Sequence, residues 1–436
     1  MELWQITALF FASLIIFLIV GLPIAFSLGA VAIILTLILW GPKGLLVIPS
    51  AFIAQGMNFI LIAVPLFILM ANILEGSGIA DDLYDMMHHW LQGVPGGLAS
   101  GTIIICAIFA AMAGISGVAT VTMGLIALPA MLKRGYDRKT VVGGICCGGA
   151  LGIIIPPSVI AIIYGSITGT SVGRLFMGGV FPGILIAVLA IIYITVRCVT
   201  TPRFGPVVPK EERVGWHEKF ISLRGIILPV ILIVVVLGTI YAGVCTPTEA
   251  SGIGAIGAII CAAIHRKLSW GNVKTATWRT LNITAMVIWI VFGASCFAAV
   301  YTACGASNFM MSLVMGLNIP PLAVIGIMEF IIFILGMFID PAGMCMICAP
   351  VFVPIVEALG FDPVWFGILF IVNSGMAYIT PPFGFNLFYM KSLVPPDMGM
   401  GEIYKSVYPY VACQMVVLIL VMFFPQIGMW LPTRMI

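Results

Sequence analysis

GGALGIIIPPSVIAIIYG (Gly148–Gly165) and ITPPFGFN (Ile379–Asn386) are apolar stretches interrupted by a proline pair, Pro156–Pro157 in the first and Pro381–Pro382 in the second. Each proline removes a backbone donor and crowds the carbonyl one turn earlier, so a helix entering either stretch breaks there. The two pairs lie 225 residues apart, and the same shift sets LPAMLKRGYD (Leu128–Asp137) on VPIVEALGFD (Val353–Asp362) and Tyr164 on Tyr389. From Pro129 to Tyr164, seven of 36 positions are identical to their counterparts. A repeated Gly-aromatic-Asp turn followed by a repeated broken span reads as two copies of one unit. The copies differ in charge: Lys133, Arg134, Arg138 and Lys139 surround the first turn, whereas Glu357 and Asp362 mark the second, which has no basic residue.

The rest of the chain explains why that sign matters. Of 436 residues, 62% are apolar and 8% charged, against roughly 25% charged in soluble globular proteins. Such a surface excludes a soluble enzyme and a nucleic-acid binder and reads as a polytopic membrane protein. At ~20 residues per crossing, the length suits roughly ten to twelve crossings or hairpins. The longest polar stretch, about 200–224, is too short for a separate domain, and the first apolar run lacks a cleavage pattern and reads as a retained span. The 11 cysteines lie mostly in apolar runs, as small hydrophobes. Cys345 and Cys348 form a C-x-x-C without a second pair or a nearby histidine, so no transition-metal site is expected.

Basic residues set the sides. The clusters around 133–139, 203–224 (Lys210 among them) and 266–279 are cytoplasmic by the positive-inside rule. Counting spans between them leaves two runs that enter and leave on one face. Run 97–131 is interrupted by Gly114, Ser116 and Gly117, and run 321–356 by Asp340, Pro341 and Gly343. Both are expected to be re-entrant hairpins. The expected fold is an all-α polytopic membrane protein with inverted repeats, two hairpins and broken helices. It forms one membrane domain over 1–436, with repeat one about 57–198, repeat two about 281–431 and a cytoplasmic loop at 200–224. Inverted repeats with discontinuous helices place a transport site near the midplane.

Irregular backbone at membrane depth survives only where it lines a cavity or is packed in protein. Carbonyls freed at the breaks suit Na⁺, and helix N-termini suit a carboxylate. Ser116, Thr120 and Ser158 supply neutral oxygens in the first half, and Asp340, Asn373, Ser374, Thr380 and Asn386 supply oxygens in the second. Oxygen-only sets select hard cations. Asp340 has two readings, an ion ligand and the N-cap of a helix opened by Pro341, and both can hold together. Ser116 is open between ligand and hairpin cap. Glu329 reads as a helix-interface partner ahead of a proton site. His88 and His89, in DDLYDMMHHW, read as part of an interfacial helix rather than a metal site.

TPTEA (Thr246–Ala250), GYD followed by GGALGIIIPPSVIAIIYG, GMFID (Gly336–Asp340) and ITPPFGFNLF (Ile379–Phe388) together resemble the large membrane subunit (DctM-like) of tripartite ATP-independent periplasmic, or TRAP, transporters. The resemblance covers almost the whole chain. It implies an elevator-type carrier in the bacterial inner membrane, driven by a sodium gradient. It also implies a small four-helix membrane subunit (DctQ-like) and a periplasmic binding protein that delivers an organic acid. No cofactor beyond the coupling ion and no nucleic acid are implied. Ser116, Gly117, Ser158, Asp340, Asn373 and Thr380 become candidates for Na⁺, and Ser116, Thr120, Pro156, Pro157, Pro381, Pro382 and Asn386 for substrate. Two residues depart from the family pattern: Pro341, where a small polar residue is common, and Gly375, near a frequent carboxylate. A single-component Na⁺- or H⁺-coupled carboxylate carrier is the alternative. An intramembrane aspartyl protease is disfavoured, because that chemistry needs two aspartates sharing a proton.

Overall fold

The computed structural model describes residues 2–209, 211, 213–316 and 319–435. Lys210 of the polar loop lies outside them, as do two residues of the uncharged stretch before Pro320. Among the described residues, eight helices are long and apolar enough to cross a bilayer, or nine if the bent pair Pro42–Gly56 and Phe59–Glu75 is one span. Five further apolar helices are shorter: Leu3–Ile19, Ile24–Trp40, Gly97–Ala113, Pro321–Gly336 and Pro363–Ala377. The short ones are the pieces left where spans break. Helix Pro42–Gly56 has no counterpart among the apolar runs, because its glycines, prolines and Lys43 hide it from a hydropathy reading.

Each interrupted run folds as helix, break, helix. Gly97–Ala113 ends at Gly114, whose φ of 63° is left-handed, and Ser116–Lys133 begins after one extended residue. Glycine is needed at 114 twice over, since a Cβ there would also run into the Pro157 carbonyl. In the second run Pro321–Gly336 is followed by Pro341–Ala358, with Asp340 as N-cap. The two arms of each run pack on each other. The broken spans are Arg138–Ile154 with Val159–Thr168, and Pro363–Ala377 with Phe385–Lys391. Both proline pairs have cis peptide bonds between their members.

The first broken span forms the centre of the molecule, and its opening helix is buried along nearly its whole length. Small residues let neighbours approach its backbone: Thr120 packs on Gly149, and the Ile115 carbonyl lies 2.9 Å from where a Cβ on Gly152 would stand. Close backbone approach of this kind replaces the hydrophobic drive that lipid cannot supply between helices. At the periphery, large apolar side chains such as Ile227, Val234, Ile256 and Trp278 are exposed, a surface suited to acyl chains.

One long helix, Val172–Thr200, measures the depth of the protein. Asp137 caps Arg138–Ile154 and pairs at 3.0 Å with Arg197. Asp362, its counterpart at the 225-residue shift, caps Pro363–Ala377 and pairs at 3.0 Å with Arg174. The two arginines stand 23 residues apart on one helix, which at 1.5 Å per residue is ~35 Å, about a bilayer core. The two Gly-aromatic-Asp turns therefore lie at opposite ends of a membrane-length ruler. In agreement, Tyr164 near the end of the first broken span donates its hydroxyl to the Pro363 carbonyl, 3.0 Å away at the start of the second.

The polar loop is tied down on the end of the molecule that holds Asp137. The Phe204 carbonyl accepts from Asp137 N, the Gln92 carbonyl accepts from Val208 N, and the Trp90 indole donates to the Lys219 carbonyl. The helix that carries Trp90, Ile79–Leu91, is amphipathic, and its Asp82 lies 3.3 Å from His265. Burial, and then the Arg134 guanidinium 2.8 Å from its Nε2, lower the pKa of His88 below the usual value.

Lys133→Cys and Glu357→Cys are expected to react with a membrane-impermeant maleimide from opposite faces, the first only in inside-out vesicles and the second only in right-side-out ones. Labelling from a common side would show that the ruler helix does not cross the bilayer.

Candidate functional site

A cavity of about 490 Å³ opens where the breaks converge. Its wall takes Gly114, Ile115 and Ser116 from the tip of the first hairpin and Asp340, Pro341 and Ala342 from the tip of the second. Ile153 and Val159 flank the first proline pair, and Tyr378, Phe385 and Tyr389 come from around the second. The Pro23–Phe26 hinge and one face of Trp270–Ala303, around Trp289, close it. Asp340 is the one charged side chain in this wall among the described residues. The rest is apolar or aromatic, apart from Ser116.

At the first tip, Ser116 opens its helix and is buried. Its Oγ donates to Asn386 Oδ1 at 2.9 Å, while Asn386 Nδ2 donates to the Cys146 carbonyl at 3.1 Å. Asn386 is fully buried, so one side chain of the second broken span ties together the first hairpin and the first broken span. Thr120 Oγ1 donates to the Ser116 carbonyl at 3.2 Å, and Gly117 lies against the Tyr389 ring. At the second tip, Asp340 Oδ2 accepts from Ala342 N at 2.9 Å. The capping reading is thus satisfied while the half-buried carboxylate still faces the cavity. Both tips present the start of a helix to the cavity, where peptide N–H groups and the helix dipole favour an anion.

The remaining sequence candidates do not line this cavity. Ser158 bridges the first break, donating to the Ile153 carbonyl at 2.5 Å and capping Val159–Thr168 through Ala161 N. Thr380 Oγ1 donates back to the Met376 carbonyl at 2.7 Å. Pro156, Pro157, Pro381 and Pro382 shape the breaks without contributing to the wall. Asn373 points elsewhere, donating its amide to Glu329. The aromatic wall went unpredicted, although Tyr389 was already visible as the repeat partner of Tyr164. The two have diverged: Tyr164 is fully buried and Tyr389 is 38% exposed.

Solved membrane transporters share this architecture. The crystal structure of the Alcanivorax borkumensis YdaH transporter matches with a TM-score of 0.67 at 16% identity, over 96% of this chain and 98% of that one. The fold is that of a polytopic membrane transporter with discontinuous helices around a central cavity. Residues 11–427 match the family described as tripartite ATP-independent periplasmic transporter, DctM component, and the chain belongs to that family. It is similar to the C4-dicarboxylate TRAP transporter large permease protein DctM of Vibrio cholerae, 33% identical over 98% of this chain and 97% of that one. It is also similar to the isethionate TRAP transporter permease protein DctMQ of Oleidesulfovibrio alaskensis, 32% identical over 96% of this chain and 65% of that one. The chain is thus a TRAP large permease subunit, a multi-pass protein of the inner membrane.

Asn386→Ala is expected to strand the buried Ser116 hydroxyl, at about 1–3 kcal/mol, while the Cys146 carbonyl keeps its bond within the helix. The purified protein should melt several degrees lower, and Asn386→Asp, which sets a buried carboxylate against the Cys146 carbonyl, should lose more. Equal melting of Asn386→Ala and wild type would show that this tie contributes nothing.

Proposed function

We propose that this permease carries an organic acid by sodium symport, taking it from a periplasmic binding protein and working beside a small four-helix membrane subunit. The observation that carries the reading is the convergence of both hairpin tips on one cavity whose only charged wall group among the described residues is Asp340. A buried or half-buried carboxylate at membrane depth is costly unless neutralised, and a bound Na⁺ neutralises it. With that charge balanced, the N–H groups at the start of Ser116–Lys133 hold the carboxylate of the substrate, while Ala342 N stays on Asp340. The wall offers no lysine or arginine among the described residues. Anion binding therefore depends on these N–H groups and on the sodium being in place, which couples the two solutes.

Two inverted halves, each with a hairpin docked on its own broken span, suit an elevator in which both hairpins move as one body. Support comes from the opposite placement of Asp137 and Asp362 along Val172–Thr200. It also comes from Asn386, which ties parts of both halves into one unit. The dicarboxylate and isethionate relatives both move small organic anions, by their names, which supports an organic acid here.

Reconstituted with its small subunit and binding protein, the wild type is expected to take up acid only down a sodium gradient. Asp340→Ala should lower initial uptake by about tenfold or more, the loss of ~1.4 kcal/mol or more of stabilisation. Uptake that ignores sodium and survives Asp340→Ala would overturn the proposal.

A further inference from the structure

The wall of the hairpin-tip cavity carries two kinds of surface. One is the start of Ser116–Lys133 together with Asp340. The other is aromatic: Phe26, Trp289, Tyr378, Phe385 and Tyr389 all line the space. The rings of Phe26 and Trp289 stand with centroids 6.3 Å apart, and Tyr378 stacks on Phe385 at 5.2 Å. Tyr389 joins the two surfaces, since a Cβ on Gly117 would lie 3.0 Å from its ring. A carboxylate seated on the first N–H groups of Ser116–Lys133 therefore has an aromatic ring close beside it.

Charge limits what else the occupant can carry. Sodium, in the reading above, balances Asp340. Two long helices start in the wall without a side-chain cap, Ser116–Lys133 and Ile24–Trp40, whereas Asp340 itself caps Pro341–Ala358. At about half a positive charge each, the two uncapped starts match one carboxylate. A second carboxylate would find no lysine, arginine or histidine in the wall among the described residues, and no further acidic side chain to hold a cation for it. The Ser116 hydroxyl is already spent on Asn386. Ring faces carry the negative side of the aromatic quadrupole and repel an anion. What the rings accept is apolar surface, through burial and stacking.

We propose that the cavity takes a monocarboxylate with a ring-sized apolar body, an arylalkanoic acid in its simplest form, in preference to a dicarboxylate. The assignment rests on the sodium-coupled organic-acid reading and specifies its substrate. The carboxylate lies on the N–H groups at the start of Ser116–Lys133, and the body lies among Tyr389, Phe385 and Trp289. A volume of about 490 Å³ falls within the roughly 300–1,000 Å³ of pockets that bury small organic ligands. The phenol hydroxyls of Tyr378 and Tyr389 are neutral, and they admit a hydroxyl or keto substituent without changing the balance of charge.

The test is direct binding to the purified full-length chain in lipid nanodiscs, with radiolabelled phenylacetate as the probe, which bypasses the selectivity of the binding protein. The probe is expected to bind in sodium buffer, and unlabelled succinate should displace it at least about tenfold less well than unlabelled phenylacetate. Trp289 is 55% exposed, so its truncation leaves the core packed. Trp289→Ala should weaken phenylacetate binding about tenfold, and Trp289→Phe, which keeps a ring, should recover most of it. Tyr389→Leu is the second variant if Trp289→Ala does not fold. Succinate that displaces the probe as well as phenylacetate does, absence of probe binding at millimolar concentration, or a folded Trp289→Ala that binds like wild type would overturn the substrate class and leave sodium-coupled uptake of another acid intact. Stronger displacement by glycine betaine would also overturn it, assigning the rings to a cationic body. Probe binding that is equal in sodium and potassium buffer would overturn the sodium-coupled reading and not the preference for a ring.

Discussion

A peptide N–H or C=O without a partner is tolerable in water and costly in hydrocarbon, by several kcal/mol per group. This chain breaks its helices at residues 114–115, 155–158, 337–340 and 378–384, and bonds within and between the breaks satisfy part of what is freed. Val159 N reaches the Gly114 carbonyl, Ser158 closes on Ile153, Asn386 N reaches the Tyr378 carbonyl, and the Asn386 amide closes on Cys146. Some of these bonds close a break on itself and the bond from Val159 N to the Gly114 carbonyl joins two, and the breaks gather around one cavity. The cavity is the consequence: it is the space that irregular backbone leaves when it packs against irregular backbone rather than lipid.

The same constraint explains the glycines and small residues around the centre. For the tip of the first hairpin to reach the first broken span, Gly114 must be left-handed and Gly152 must let the Ile115 backbone come within contact. Val172–Thr200 then sets the long dimension, with an Arg–Asp pair near each end. Surface ion pairs of this kind contribute little energy. Their value lies in register, since each pins a helix-capping aspartate at a defined end of the ruler.

Polar side chains in the core divide into two kinds. Ser158, Thr380 and Asn386 spend their hydrogen-bonding capacity on backbone or on Ser116, and so hold the breaks in shape. Asp340 faces the cavity, and Glu329 Oε1 and Asn373 Oδ1 lie buried at a helix interface without a hydrogen-bond partner. The reading of Glu329 as an interface partner agrees with its bond to Asn373, but the leftover oxygens show that the interface is chemically incomplete. Satisfied groups build the scaffold, and the carboxylate that faces the cavity is where a charged solute has something to gain.

Much of this was readable along the chain because it is local. Apolar length, paired prolines, capping aspartates and the sign of charge at two related turns are properties of neighbouring residues, and they sufficed for the breaks, the hairpins and the spans other than Pro42–Gly56. They also singled out Ser116 and Asp340, the two candidates that line the cavity wall. Pairing across long separations was not readable: Ser116 with Asn386 is 270 residues apart, and Glu329 with Asn373 is 44. No periodicity encodes which oxygen of a buried amide is left over, or which aromatic rings close a chamber. Those outcomes depend on how helices already formed settle against one another, where a shift of an ångström makes or breaks a hydrogen bond. Composition and local pattern therefore determined a membrane chain with broken helices, and only tertiary packing decided which of its polar atoms are spent and which remain free to bind.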